Sequence, residues 1–342
     1  MRVPFPRRRW VRLLLVLVPI AVLVTLAVWR TDLGVAGRAF RAVRWEWVAA
    51  AVLINLVSIV ARAQAWRIVI TQAMPPPWPR RRLVFSAFCV GLLANAALPG
   101  RVGELARVAV LTRHVRRRPG TWATITGTVF THRLYDVVVA LGLVVYVLYR
   151  ARIPDWAVPG LAIAIGIGVG FLIAGVLLAR RQHRPVTEGL GPARRLLRMA
   201  RHGLTVLRRP VPALQALFFQ LVGWTAQLFA VYTAFLAFGI DPSIPAAALV
   251  LVIMNLVMVF PFWPGNVGLV QAAVALVLLR YGEPYGQGFL YGVGLQAIEA
   301  SVGVGLGLLF LAREGFSFAM LRRMPDVTDV DIDEDERVER IA

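Results

Sequence analysis

The sequence predicts an all-α integral membrane protein, with about six full transmembrane helices and two re-entrant helical hairpins arranged as an inverted repeat. Three observations predict it. The chain of 342 residues is 58% hydrophobic, well above soluble composition. Apolar runs long enough to span a bilayer recur along its whole length. A short phrase, Pro-Gly-x-Val-Gly, occurs twice inside apolar sequence: at Pro99, Gly100, Arg101, Val102 and Gly103, and at Pro264, Gly265, Asn266, Val267 and Gly268. Pro lacks an amide donor and Gly tolerates backbone angles that other residues avoid, so each phrase breaks a helix. Broken backbone in a bilayer survives only where protein or a watery cavity satisfies it. Two broken segments in corresponding halves of a chain point to a transporter-type binding site.

Each element follows from charge placement. Arg7, Arg8 and Arg9 precede an apolar run from Val11 to Val28. That run is long for a signal peptide and ends in no small-x-small cleavage site, so an uncleaved first span near 11–29 is expected, running outward. The segment 30–46 spaces Arg38, Arg41 and Arg44 by three, with Phe40, Val43 and Trp47 among them, and reads as an amphipathic helix on the outer surface. Span two, near 47–69, returns and ends at Trp66 and Arg67, and Arg80, Arg81 and Arg82 mark the cytoplasm. The segment 83–112 holds the first phrase and is read as a hairpin open to the cytoplasm, which keeps Arg113, Arg116, Arg117 and Arg118 inside. Spans three (121–149) and four (157–179) go out and back, and the loop 180–210, with nine Arg, is cytoplasmic. Span five (211–238) goes out, a second hairpin (246–280) enters from outside, and span six (288–312) returns.

The two phrases lie 165 positions apart, and that offset carries span two onto span five and span three onto span six. Each half then has an odd number of spans, so the second is inverted relative to the first. The expected organisation is a polytopic membrane domain over 1–315, with repeat A about 10–149 and repeat B about 157–312. The remainder, 316–342, is a cytoplasmic tail carrying Asp326, Asp329, Asp331, Asp333, Glu334, Asp335, Glu336 and Glu339, without apolar periodicity and expected to be disordered.

The net charge of +20 sits in short Arg runs between apolar spans, as membrane topology requires, so a nucleic-acid partner is not expected. A single cysteine, Cys89, excludes an internal disulfide. No spacing matches a metal cluster, a nucleotide loop or an activated nucleophile, so neither cofactor, metal nor catalytic residue is expected.

A charge at membrane depth costs roughly 2.5–3.5 kcal/mol, so each buried one needs a partner or a task. Arg101, Glu104 and Arg107 are spaced by three and share a helix face after Pro99-Gly100, with Glu104 between two cations. Arg101 or Arg107 would meet a phosphate, whose geometry suits a planar guanidinium, while Glu104 holds one Arg in place. The bland alternative is a salt-bridged hairpin tip. Span three carries His132, Arg133 and Asp136, which can pair at three and four residues' separation. They would gate the substrate or couple protons, or would only tie span three to the hairpin. The second half is less charged: Asn266 stands where Arg101 does, Leu269 replaces Glu104, Gln271 lies in the returning arm, and Glu299 lies mid-span with Gln296 one turn earlier. Pro99, Gly100, Gly103, Pro264, Gly265 and Gly268 are the expected hinge positions. Asn55, Arg62, Gln64 and Arg67 give span two a polar face, with Arg62 and Arg67 read as snorkelling to headgroups.

With these residues in view, the chain resembles the transmembrane domain of the lysylphosphatidylglycerol synthase family over about residues 10–315. Trp66-Arg67, the phrase Leu98 to Glu104 with Arg107, and Pro264 to Gly268 carry the resemblance. Two departures stand out: His132 occupies the acidic place of an acid-base pair, and Asn266 with Val270-Gln271 replaces a Gly and an Arg-Glu pair. The family's synthase activity resides in a soluble domain after the membrane part, so aminoacyl transfer is not expected here. The resemblance implies a stand-alone flippase-like protein that moves a modified phospholipid or other lipid-linked anionic molecule, with membrane lipids as partners. It would lie in the cell membrane with both termini cytoplasmic. Two rivals from other classes stay open. One is a membrane lipid or glycan transferase using Glu104, Asp136 or Glu299; the other is a scaffold that docks a separate synthase through the 180–210 loop.

Overall fold

The computed structural model describes residues 42–97, 102–115, 121–180, 209–241, 243–259, 262 and 264–313. They form helices α1 (Trp45–Ala73), α2 (Arg81–Ala97), α3 (Gly103–His114), α4 (Thr121–Arg150), α5 (Val158–Arg180), α6 (Pro210–Ala237), α7 (Ile244–Val257), α8 (Leu269–Leu279) and α9 (Tyr285–Arg313). No strand occurs among the described residues. Five helices are long and apolar enough to cross a membrane: α1, α4, α5 (extended to Asp155), α6 and α9. These are the expected spans two to six. The first span, most of segment 30–46, the loop 181–208 and the acidic tail lie outside the described residues.

The other four helices are short. At a rise of about 1.5 Å per residue, α3 measures about 18 Å, against a hydrocarbon core of about 30 Å. They come as two pairs, α2 with α3 and α7 with α8, each packed arm against arm. The pairs coincide with the two expected hairpins and run a few residues longer at one or both ends. Local chemistry sets several boundaries. Ser243 caps α7, its Oγ accepting the Ala246 N–H at 3.2 Å, with Pro245 in the first turn. Helix α3 has Glu104 in its first turn and Arg113 and His114 in its last, as the helix dipole favours.

The boundaries repeat at the offset read from the two phrases. Shifted by 165, α1 falls on 210–238 and α6 is Pro210–Ala237; α3 falls on 268–279 and α8 is Leu269–Leu279; α4 falls on 286–315 and α9 is Tyr285–Arg313. One boundary departs from the sequence reading. Trp66 does not end its helix: α1 continues to Ala73, and Trp66 is completely buried.

The chain forms two compact units, and they are not its sequence halves. Unit one comprises Met1–Ser58, Val138–Val169 and Gly223–Ser301; unit two comprises Ile59–Val137, Gly170–Val222 and Val302–Ala342. Each holds one hairpin and a part of every long helix. In unit one, the core runs along α7, buried from Ala246 to Met254, and Phe235 stacks on Tyr291 with centroids 4.6 Å apart. In unit two, α2 and α3 meet at Gly91 and Gly103. A Cβ on Gly103 would lie 2.1 Å from the Gly91 carbonyl oxygen, so this contact admits no side chain.

Candidate functional site

Unit two buries a charged network beside its hairpin. Arg107 projects from α3 and is only 5% exposed. Its guanidinium lies 5.3 Å from the Trp66 ring centroid and 5.4 Å from that of Phe88, a cation–π contact on two aromatics. It also faces Glu104 one turn earlier, Nη2 to Oε1 at 3.6 Å. Glu104 Oε1 accepts from Arg133 Nη2 on α4, in a direct ion pair. Arg133 in turn donates through Nη1 to Asp136 Oδ2 at 3.0 Å. Asp136 Oδ1 accepts from Gln220 Nε2 on α6. His132, 1% exposed, donates from Nε2 to the Arg62 carbonyl of α1 at 3.2 Å, and its Nδ1 lies 3.7 Å from Asp136 Oδ2. Its ring meets Phe88 edge-on at 6.0 Å.

The helices explain why these groups meet. Arg133 and Asp136 are one turn apart on α4, so a single guanidinium bridges Asp136 beside it and Glu104 on the neighbouring α3. Gly103 opens α3 and lets it approach α2 closely; its amide donates to Asn95 Oδ1 at 2.8 Å. The network joins two guanidinium groups to two carboxylates. Some of its acceptors are unfilled: Glu104 Oε2, Gln220 Oε1 and His132 Nδ1 are buried without a hydrogen-bond partner. Arg133 is the accessible cation, with 39% of its side chain exposed.

Unit one treats its hairpin differently. Gly265 and Gly268 take positive φ, 66° and 91°, and Asn266 follows at 45°. Only Gly adopts the Gly268 conformation at low cost. Asn266, 1% exposed, fastens the turn: its Oδ1 accepts from the Phe262 amide at 3.1 Å and its Nδ2 donates to the Val257 carbonyl at 2.9 Å. The Gly268 amide donates to Gln271 Oε1 at 2.6 Å, Gln271 Nε2 donates to Gln296 Oε1, and Gln296 Nε2 donates to the Gly265 carbonyl. The relay thus starts and ends on the turn. Glu299 accepts from Gln227 Nε2 at 3.0 Å.

The sequence-predicted residues therefore fall into two groups. Glu104, Arg107, His132, Arg133 and Asp136 come together in unit two. Asn266, Gln271, Gly265 and Gly268 come together in unit one, with Glu299 a turn from Gln296 on α9. Pro99, Gly100 and Arg101 lie outside the described residues; among the described residues the cations beside Glu104 are Arg107 and Arg133. Pro264 opens a short 3-10 turn, Pro264–Asn266. Gly103 serves by close packing, within a helix. Sequence reasoning missed the platform of Trp66 and Phe88, and Gln220. Three glutamines in a largely apolar span, Gln215, Gln220 and Gln227, were the available signal for Gln220. For Arg107 stacked on aromatics from two other helices there was no local signal.

Comparison with known proteins places these elements in context. The family described as lysylphosphatidylglycerol synthase TM region matches residues 9–321, which takes in every helix above. A UPF0104 membrane protein from Methanothermobacter thermautotrophicus is 26% identical over 270 residues, covering 72% of this chain and 76% of the relative. No solved structure matches.

Proposed function

The chain belongs to the lysylphosphatidylglycerol synthase transmembrane-region family, and from that premise we propose that it is a lipid translocase, moving a modified phospholipid or other lipid-linked anionic molecule across the cell membrane. The helices' division between the two units supports an inverted repeat with re-entrant hairpins. Helix α1 begins in unit one and ends in unit two, α4 runs the other way, and α5, α6 and α9 continue the alternation. The first hairpin lies wholly in unit two, where α1 ends and α4 begins; the second lies wholly in unit one, where α6 ends and α9 begins. A segment that starts and finishes within one unit is what a re-entrant hairpin requires.

Arginine distribution supports a cytoplasmic unit two. Its described residues carry Arg62, Arg67, Arg80, Arg81, Arg82, Arg107, Arg113, Arg133, Arg180, Arg209 and Arg313 against Glu104 and Asp136. The end of α9 is then cytoplasmic, and the expected first span near 11–29 would return the N-terminus to the same side.

The observation that carries the translocase reading is the charged network on the broken hairpin. Ionisable groups inside a membrane domain mark substrate pathways by default, because a purely structural contact is made more cheaply by apolar groups. A phosphate would enter against Arg101 and Arg133. Arg107, buried, supports Glu104, which orients the accessible cation Arg133. Asp136 and His132 close the inner side. Asn266 and Gln271 present the neutral polar counterpart in unit one, with Glu299 a turn from Gln296 on α9.

The test is headgroup accessibility of fluorescent anionic lipids in vesicles with the purified protein, beside empty vesicles and an Arg101→Ala/Glu104→Ala variant at matched protein content. Wild type should expose inner-leaflet lipid faster than empty vesicles, and the variant should lose most of that gain. Equal rates for wild type and variant would remove the network from the transport path.

A further inference from the structure

His132 turns a ring nitrogen where packing gives it no reason to point. Its Nε2 lies 3.2 Å from the Arg62 carbonyl, which can only accept, so the proton of the neutral ring sits on Nε2. Nδ1 is then an acceptor. It is buried without a hydrogen-bond partner and lies 3.7 Å from Asp136 Oδ2, a second acceptor. Two lone pairs therefore face each other beside a ring that is 1% exposed. A glutamine would hold the Arg62 carbonyl equally well without aiming an acceptor at a carboxylate.

The surroundings decide what this pair can take up. Helix α1 brings the Arg62 carbonyl, on a residue that is itself cationic. Helix α2 brings Phe88, whose ring meets His132 edge-on at 6.0 Å and lies 5.4 Å from the Arg107 guanidinium. Helix α3 brings Glu104 and Arg107, α4 brings Arg133 and Asp136, and α6 brings the Gln220 amide. Within the bonded network two guanidinium groups balance two carboxylates, so a neutral His132 leaves it at zero net charge. Asp136 Oδ2 is the shared atom: Arg133 Nη1 donates to it at 3.0 Å, and His132 Nδ1 stands next to it. Arg133, with 39% of its side chain exposed, is the member placed to turn outward. An anion that draws Arg133 off Asp136 adds one negative charge and takes a donor from Oδ2. A proton on Nδ1 repairs both: it restores zero net charge, and Nδ1–H reaches Oδ2 after an approach of about 1 Å, since a charge-assisted bond spans about 2.7–2.9 Å.

We infer that His132 Nδ1 and Asp136 Oδ2 form a proton-binding site, unprotonated while Arg133 is bonded to Asp136 and protonated when Arg133 engages an anion. One proton is then taken up with each anion, and it belongs to the pair. The proton site rests on the geometry of unit two alone; its coupling to transport rests on the translocase reading.

A 15N NMR titration of histidine-labelled protein in detergent tests the site without any ligand, with His132→Gln identifying the His132 signals among four histidines. Near pH 7 wild type should show one protonated ring nitrogen, Nε2. Arg133→Gln imitates withdrawal of the guanidinium, so its His132 should take up the second proton at a pH higher than in wild type by about 1–3 units. Asp136→Asn removes the charge that holds the proton and should lower the pH of uptake. An unchanged titration in Arg133→Gln, or a doubly protonated wild-type ring near pH 7, would overturn the site. Should Arg133→Gln not fold, equal uptake by wild type and Asp136→Asn overturns it instead. A second measurement reads the coupling. Movement of fluorescent phosphatidylglycerol in vesicles should quicken by up to about tenfold for each unit that the pH falls, and should be flat in His132→Gln. Wild-type movement indifferent to pH, or an equal pH dependence in His132→Gln, would remove the coupling and leave the translocase reading standing. Absence of any movement would remove that reading, while the titration still decides the proton site.

Discussion

The two hairpins meet the same physical problem with opposite chemistry. Each pairs two short helices around a Pro-Gly break in an apolar environment, where unpaired amides and carbonyls are costly. In unit one the solution is neutral and closed. Asn266 fastens the turn to Val257 and Phe262, while Gln271 and Gln296 link Gly268 to Gly265, so the turn's polar groups are satisfied locally. In unit two the solution is ionic and open. Arg133 bridges Glu104 and Asp136, Arg107 stacks on Trp66 and Phe88, and acceptors on Glu104, Gln220 and His132 stay unfilled. Holding a turn requires only the first kind. The second kind leaves the Arg133 guanidinium partly exposed, which is why the proposed headgroup contact lies in unit two.

The largest expected effect separates the units most sharply. Arg107→Ala deletes a buried cation from an ion pair and from two aromatic faces, leaving Glu104 less compensated. Removing one partner of a buried pair costs about 3–5 kcal/mol. The unfolding midpoint in detergent should fall accordingly, and a fall equivalent to less than about 1 kcal/mol would show that the network contributes little to holding α3. In unit one the corresponding test is Gln271→Met, which keeps the side-chain length and removes both hydrogen bonds of the relay. The Gly268 amide and Gln296 Oε1 then lose their partners, at a cost of about 1–3 kcal/mol. Stability should drop while lipid movement per folded molecule persists. A folded Gln271→Met protein with abolished movement would assign unit one a direct part in transport and dissolve the contrast.

Much of this was legible in sequence because it depends on periodicity and breakage. Long apolar runs locate spans, Arg runs delimit them, and Pro-Gly breaks the hairpins, so the helix boundaries fall within a few residues of expectation. Pairs on one helix were legible too: Arg133 with Asp136, and Glu104 with Arg107, follow from a spacing of three. Contacts between helices were not. Glu104 finds its second cation on α4, and spacing along α3 gives no hint of Arg133. Trp66 was read as a span end because an aromatic beside Arg67 suits an interface, yet burial against Phe88 and Arg107 decides its place. Such contacts depend on how closely α2 and α3 approach at Gly91 and Gly103, which is a property of the fold and not of a local window.

The smallest expected effect is the most discriminating for the role of buried acids. Glu299 and Asp136 each accept a hydrogen bond from a glutamine, Gln227 and Gln220, and Asp136 also pairs with the Arg133 guanidinium. Glu299→Gln preserves an oxygen for Gln227 and removes only the charge. Asp136→Asn preserves an oxygen for Gln220 but leaves Arg133 bound by Glu104 alone. Loss of that charged bond is expected to cost about 1.5–3 kcal/mol and to slow lipid movement, whereas Glu299→Gln should change stability by less than about 0.5 kcal/mol and leave movement intact. Parallel melting and scrambling assays on the two variants would read this directly. If Glu299→Gln proved as damaging as Asp136→Asn, the acid of unit one would be doing charged work, and the division into a neutral and an ionic hairpin would have to be abandoned.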